Sequence, residues 1–187
     1  MSYLILSGKP EVLAACLEQF EACDNMTERL AALAVLVNSS FEEEKAKALA
    51  SFADFFKDNP LVMDQWFSVQ AASGLPDALE RVRQLMKHPA FTLKNPNKVR
   101  ALIGAFAGQN LINFHRAEGS GYRFLADQVI TLNALNPQIA SRLLAPLTRW
   151  RKYDGARQAL MKAELERILA SGELSSDVFE VVSKSLA

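Results

Sequence analysis

The 187-residue chain is half hydrophobic and about a fifth charged, with 21 acidic and 21 basic side chains. That is the composition of an ordinary globular chain long enough to bury a real core, and the balanced charge gives no global pull toward nucleic acid or an anionic membrane. No apolar run approaches the roughly 20 residues that span a bilayer, and the start, Met1-Ser2-Tyr3-Leu4-Ile5-Leu6, lacks the basic region and cleavage site of a signal peptide.

Alanine, leucine, glutamate, lysine and arginine dominate while glycine and proline are sparse, so an all-α fold is expected. Roughly eleven helical segments are predicted. The first, Ser2–Leu6, has no N-cap and stops at Gly8, and reads as the tail of a helix that starts upstream. A helix from Pro10 carries Val12, Leu13, Cys16, Leu17 and Phe20. The next opens on Asp24 and Asn25, with Glu28 placed as in a capping box, and buries Met26, Leu30, Leu33, Ala34 and Val37. A fourth follows Ser40, with Phe41, Ala48, Leu49, Phe52 and Phe56 inward. Glu42, Glu43 and Glu44 suit its N-terminal dipole. Further helices are predicted at about 60–72, 76–87, 96–107, 109–115, 120–134, 137–150, 154–171 and from Ser175 to the end.

Three Asn-Pro pairs, Asn59-Pro60, Asn95-Pro96 and Asn136-Pro137, punctuate this series at intervals of 36 and 41 residues. Asn caps orphan amides, and Pro suits a first helical position that needs no N–H. The interval is that of helix-pair solenoids. The predicted architecture is one domain over residues 1–187, a right-handed superhelical array of antiparallel helix pairs (armadillo- or HEAT-like).

Catalytic patterns are missing. His88 and His115 stand far apart and outside any His-Glu-x-x-His helix, and no nucleophile elbow, P-loop or dinucleotide glycine pattern occurs. Glu118-Gly119-Ser120-Gly121-Tyr122 reads as a turn with Ser120 capping the next helix. Arg149, Arg151, Lys152 and Arg157 are balanced by nearby glutamates and read as a solvated helix end. Trp66 and Trp150 lie on apolar stripes and are predicted in the core. Cys16 and Cys23 share a helical face about 10 Å apart, too far to pair, and read as thiols in a reducing compartment.

Several stretches carry a resemblance: Asp24-Asn25-Met26-Thr27-Glu28-Arg29-Leu30, Leu61-Val62-Met63-Asp64-Gln65-Trp66-Phe67, and above all Asn95-Pro96-Asn97-Lys98-Val99-Arg100 running into Gly104-Ala105-Phe106-Ala107-Gly108. With Asn136-Pro137-Gln138, Lys152-Tyr153-Asp154 and the ending Val182–Ala187, they make the chain resemble the C-terminal helical domain of bacterial aminopeptidase N, a zinc metallopeptidase family. The resemblance implies a parent enzyme that removes N-terminal residues from peptides in the cytoplasm. Its zinc, its His-Glu-x-x-His ligands and its general base all belong to a catalytic domain of the same polypeptide, upstream of this chain. The present chain would be a domain truncated at its N-terminal side, inactive alone, without metal or catalytic residues of its own. It would wall the active-site chamber and restrict access.

By the same resemblance Gln138 lines the pocket for the first side chain, Arg142 faces the peptide beyond the scissile bond, and Arg100 is a further chamber-facing arginine. Gln138 and Arg142 are four apart near the start of the predicted helix and share a face, where Arg142 could pair with a peptide carboxylate and the helix N-terminus would add favourable field. An interhelical salt bridge is the alternative for Arg142. For the chain as a whole, the alternative is a stand-alone helical-repeat module that binds protein partners.

Overall fold

The three Asn-Pro steps start three helices as their chemistry predicts. The side-chain oxygens of Asn59, Asn95 and Asn136 accept from the backbone N–H of Val62 (3.3 Å), Asn97 (2.9 Å) and Ile139 (3.2 Å), with proline at the first helical position each time. Asn25, Asp154 and Ser175 cap in the same way. The Asn25 oxygen takes the Glu28 N–H at 2.9 Å.

The computed structural model describes residues 3–187, whose regular structure is all helical, with no strand among the described residues. A 3-10 turn (Ile5–Ser7) leads into α1 (Pro10–Ala22), α2 (Met26–Val37), α3 (Glu42–Phe56), α4 (Pro60–Ala71) and α5 (Ala78–Leu85). A central rod follows, made of α6 (Pro96–Val99), a π-helical turn (Arg100–Gly104) and α7 (Ala105–Gln109). After it come α8 (Leu111–Phe114), α9 (Ser120–Leu135), α10 (Pro137–Leu143), α11 (Ala145–Thr148), a 3-10 turn (Trp150–Lys152), α12 (Gly155–Leu169) and α13 (Ser176–Leu186).

Neighbours in sequence are neighbours in space. Helix α1 packs on α2, α2 on α3 and α4, and α4 on α5 and the π turn; beyond the rod, α9 packs on α10 and α12, and α12 and α10 on α13. One core runs through the whole stack, from Ile5 to Val182. The rod supplies its centre: Leu102, Ile103 and Phe106 are fully buried, and the Phe106 ring meets Phe114 and Phe124 edge-on at 6.1 and 5.6 Å. Trp66 is buried and donates its indole N–H to the Leu49 carbonyl (3.1 Å). Trp150 is half-buried, donates to the Ser185 carbonyl (3.2 Å) and carries the Arg151 guanidinium over its ring. Cys16 and Cys23 are separate buried thiols, and burial pushes the Cys16 thiol up.

The turn between α4 and α5 is held by amides from elsewhere. Asn110 Nδ2 donates to the carbonyls of Ala71 (2.9 Å) and Ser73 (2.7 Å), and Asn113 Nδ2 to those of Ser73 (3.2 Å) and Leu75 (3.1 Å). Arg116 donates to the Pro76 carbonyl (2.7 Å), while Asn38 Oδ1 accepts the Gly74 N–H (2.8 Å). Asn110 and Asn113 are themselves buried, and these bonds satisfy their amide N–H groups, while the Asn113 Oδ1 is left without a partner among the described residues.

Four expectations are corrected. Of the predicted helix Ser2–Leu6, Ser2 lies outside the described residues; Tyr3 and Leu4 form a turn and only Ile5–Ser7 is helical, as a 3-10 turn closed by Gly8 at φ +67°. So short a segment cannot offset the cost of helix nucleation. The helix predicted over 137–150 breaks after Leu143, because Pro146 lacks an N–H and its ring would meet the carbonyl four residues back. The helix predicted over 96–107 continues to Gln109 but passes through the π turn. Ser120 is not a cap: Gly119, at φ +71°, precedes α9, and the Ser120 hydroxyl bonds Glu118 instead. Gly121 has a different task, since a Cβ there would lie 2.4 Å from the Phe114 carbonyl oxygen, so α8 and α9 meet backbone to backbone.

Candidate functional site

The rod and helices α10 and α11 stand side by side and leave a groove of about 380 Å³ between them, lined among others by Arg100, Gly104, Gly108, Ile139, Arg142 and Leu143. Its rod wall is low because its residues are small. A Cβ on Gly104 would only touch Leu143 at 3.7 Å, and one on Gly108 would meet nothing within 4 Å. The groove therefore has an apolar floor from Ile139 and Leu143, with Arg100 and Arg142 among the residues that line it.

Arg142 is exposed, in the last turn of α10. It takes part in none of the ion pairs among the described residues. Because α10 ends at Leu143, Arg142 lies by the carbonyl end of its helix, and the favourable N-terminal field expected there is absent. Arg100 is exposed on the π turn. Its Nε donates to the Pro96 carbonyl (3.2 Å) and its Nη2 to Asn97 Oδ1 (2.7 Å). Arg100 also borders a second, more open cavity of about 500 Å³ with Asp64, Gln65, Ser68 and Asn97. Asp64 is bound there to the buried Lys98 at 2.7 Å. Gln138 is exposed on the first turn of α10 and does not line the groove. The structure thus brings Arg100 and Arg142 to one groove and leaves Gln138 beside it. The small wall of Gly104 and Gly108 was not singled out by residue type, although a spacing of four puts two glycines on one helical face.

A second cluster escaped sequence reasoning. His115 Nδ1 pairs with the Tyr122 hydroxyl at 2.9 Å and Nε2 with the Tyr153 hydroxyl at 3.0 Å, with the Tyr153 ring stacked on the imidazole. Burial first, and then the nearby Arg157, hold the His115 pKa below the usual imidazole value. Burial likewise pushes the Tyr122 phenol up. His88 Nδ1 accepts the Ala90 N–H (3.1 Å). Both imidazoles are thus engaged, and among the described residues no group of three or more histidine, cysteine or acidic side chains is placed to hold a metal ion. No described helix is long and apolar enough to cross a membrane.

Stacked helix pairs around one continuous core, with a groove between neighbouring pairs, define a helical-repeat domain. A family model described as "Domain of unknown function (DUF3458_C) ARM repeats" matches residues 1–187, and the chain belongs to that family. It is 45% identical over 170 residues to Aminopeptidase N of Escherichia coli (strain K12), covering 91% of this chain and 19% of that protein. Aminopeptidase N of Caulobacter vibrioides is 45% identical over 183 residues, 97% of this chain and 21% of that protein. The crystal structure of Legionella pneumophila aminopeptidase A in complex with aspartic acid matches with a TM-score of 0.87 at 40% identity, over 92% of this chain and 20% of that one. The chain spans about a fifth of the length of these relatives, and it is homologous to their C-terminal region.

Proposed function

We propose that the chain is the C-terminal helical-repeat domain of a zinc-dependent aminopeptidase, a cytoplasmic enzyme of peptide breakdown. In this reading it walls the active-site chamber, restricts access and contributes Gln138, Arg142 and Arg100 to substrate binding. The carrying observation is that a stretch so similar to aminopeptidases presents two arginines, neither paired with an acid among the described residues, on one apolar-floored groove. A carboxylate is the group such a pair takes, by charge-assisted and bidentate hydrogen bonds. The Legionella relative is in complex with aspartic acid, which carries that group.

The domain has no hydrolytic machinery in this reading. Zinc, its ligands and the general base belong to the catalytic domain of the same polypeptide, and the isolated chain is expected to release no product from an amino-acid anilide. A further apolar groove of about 600 Å³, lined by Tyr3, Leu6, Val35, Leu75 and Ile112 among others and by no charged residue, supports the reading as a face on which the rest of a longer polypeptide packs.

The test is Arg142→Ala in the full-length polypeptide. KM for tripeptides should rise about 3- to 10-fold with kcat little changed, because the contact is similar in ground and transition states. Unchanged tripeptide kinetics would remove Arg142 from the binding site. Reading the gene upstream of the Met1 codon tests the parent: a frame encoding His-Glu-x-x-His supports it, and a stop codon just before Met1 ends it.

A further inference from the structure

We propose that Asn97 is a positioning residue for Arg100, and that the Asp64–Lys98 pair keeps Arg100 free to receive a carboxylate. The inference rests on the reading of Arg100 as a substrate-facing residue. Asn97 needs this explanation because helix capping does not use its side chain. In Asn95-Pro96-Asn97, the first asparagine caps and the proline fills the first position, while the second asparagine's carboxamide is turned onto Arg100.

The geometry accounts for the guanidinium edge by edge. Its five N–H groups form a fixed planar fork. The Nε–H goes to the Pro96 carbonyl at 3.2 Å and one Nη2–H to Asn97 Oδ1 at 2.7 Å. The two bonds use Nε and Nη2. They leave both Nη1 hydrogens and one Nη2 hydrogen for a further partner. Arginine carries considerable rotamer freedom that must be lost when it binds. Two bonds to the first turn of its own helix remove much of that freedom beforehand.

Charge is managed by the adjacent residue. Asp64 borders the same open cavity as Arg100 and would be the natural partner to neutralise it. Lys98 takes Asp64 instead, at 2.7 Å, with its side chain only 7% exposed and that of Asp64 15%. The Lys98 ammonium also donates to the Pro60 carbonyl (3.0 Å) and lies over the Phe67 ring, so it is fixed from three sides. Two cations two residues apart therefore have separate tasks. Lys98 is spent on the acid inside the wall, and Arg100 keeps its charge on the border of both cavities.

The experiment compares wild type, Asn97→Ala and Arg100→Ala in the full-length polypeptide, on one peptide supplied as the free acid and as the C-terminal amide. Asn97→Ala should raise KM for the acid about three- to tenfold, with kcat and the amide KM nearly unchanged. Arg100→Ala should abolish the acid-over-amide preference. In the 187-residue chain, ¹⁵N relaxation of the Arg100 Nε–H should report an ordered side chain that becomes mobile in Asn97→Ala, while backbone spectra show the fold retained. If Arg100→Ala removes the preference and Asn97→Ala leaves it intact, the positioning role is overturned and the reading of Arg100 survives. If Arg100→Ala leaves the preference intact, the reading of Arg100 falls, and the role of Asn97 falls with it. An Arg100 Nε–H equally mobile in wild type and Asn97→Ala also overturns the positioning role.

Discussion

Gly121→Ala isolates the close approach of α8 and α9 with a single methyl group. The added Cβ would lie 2.4 Å from the Phe114 carbonyl oxygen, 2.7 Å from its Cα and 2.9 Å from its carbonyl carbon. The oxygen contact falls about 1 Å short of ordinary van der Waals separation, and all three atoms are backbone, so no rotamer change relieves it. Helix α8 must move, and with it the buried Phe114 ring, which meets Tyr122 at 5.3 Å and Phe106 at 6.1 Å. Overpacking of this kind costs roughly 2–3 kcal/mol. Alanine's helix preference over glycine returns up to about 1 kcal/mol. The net loss is about 1–3 kcal/mol, a fall in Tm of roughly 2–12 °C for a domain of this size. Urea denaturation and calorimetry measure it. Gly108→Ala is the control, since its Cβ meets nothing within 4 Å; it should unfold at or slightly above the wild-type temperature. A Gly121→Ala protein as stable as Gly108→Ala would refute the argument.

Two other perturbations probe the frame. Burial, and then Arg157, disfavour the charged imidazole of His115, so its folded pKa lies below the unfolded value near 6.5. The unfolded chain then binds more protons as pH falls below about 6.5, and stability declines through that window toward the folded pKa. His115→Gln should flatten the stability profile below about pH 6.5, measured by urea midpoints; an unchanged slope would count against it. Asp154, whose carboxyl is held low by its bond to Arg157, titrates further down and does not share the window. Asn136→Ala removes the cap on Ile139 and should cost about 1 kcal/mol, whereas Asn136→Asp should keep most of it. Equal urea midpoints for the two variants would show that the cap contributes nothing.

What the sequence made legible were the features encoded locally. Asn59, Asn95 and Asn136 cap because a carboxamide followed by proline has little else to do at a helix start, and their spacing reveals the repeat. Ser120 looked like a cap for the same local reason, yet Gly119 precedes the helix, because Gly121 packs against a backbone seven residues earlier and that contact fixes the entry to α9. The apolar pattern continues through Pro146 and hides the end of α10, which the proline sets at Leu143. At the groove, Arg142 and Arg100 could be named by resemblance, but their meeting required the rod and α10 to pack side by side. The Tyr122–His115–Tyr153 cluster was invisible for a similar reason. Its members come from the residue after α8, from α9 and from the turn before α12, and nothing in their spacing signals contact.

The segment between α4 and α5, Ser73-Gly74-Leu75-Pro76-Asp77, has the composition of a protease-sensitive tip. Its carbonyls, however, are occupied by Asn110, Asn113 and Arg116, and its Gly74 amide by Asn38. The connection therefore acts as a rivet, because side chains from before and after it in the chain grip the same few peptide units. Opening it means breaking polar contacts to α8 and the end of α2 together, so the first and middle helix pairs should unfold as one cooperative unit, and this glycine–proline turn should resist nicking as long as that unit holds.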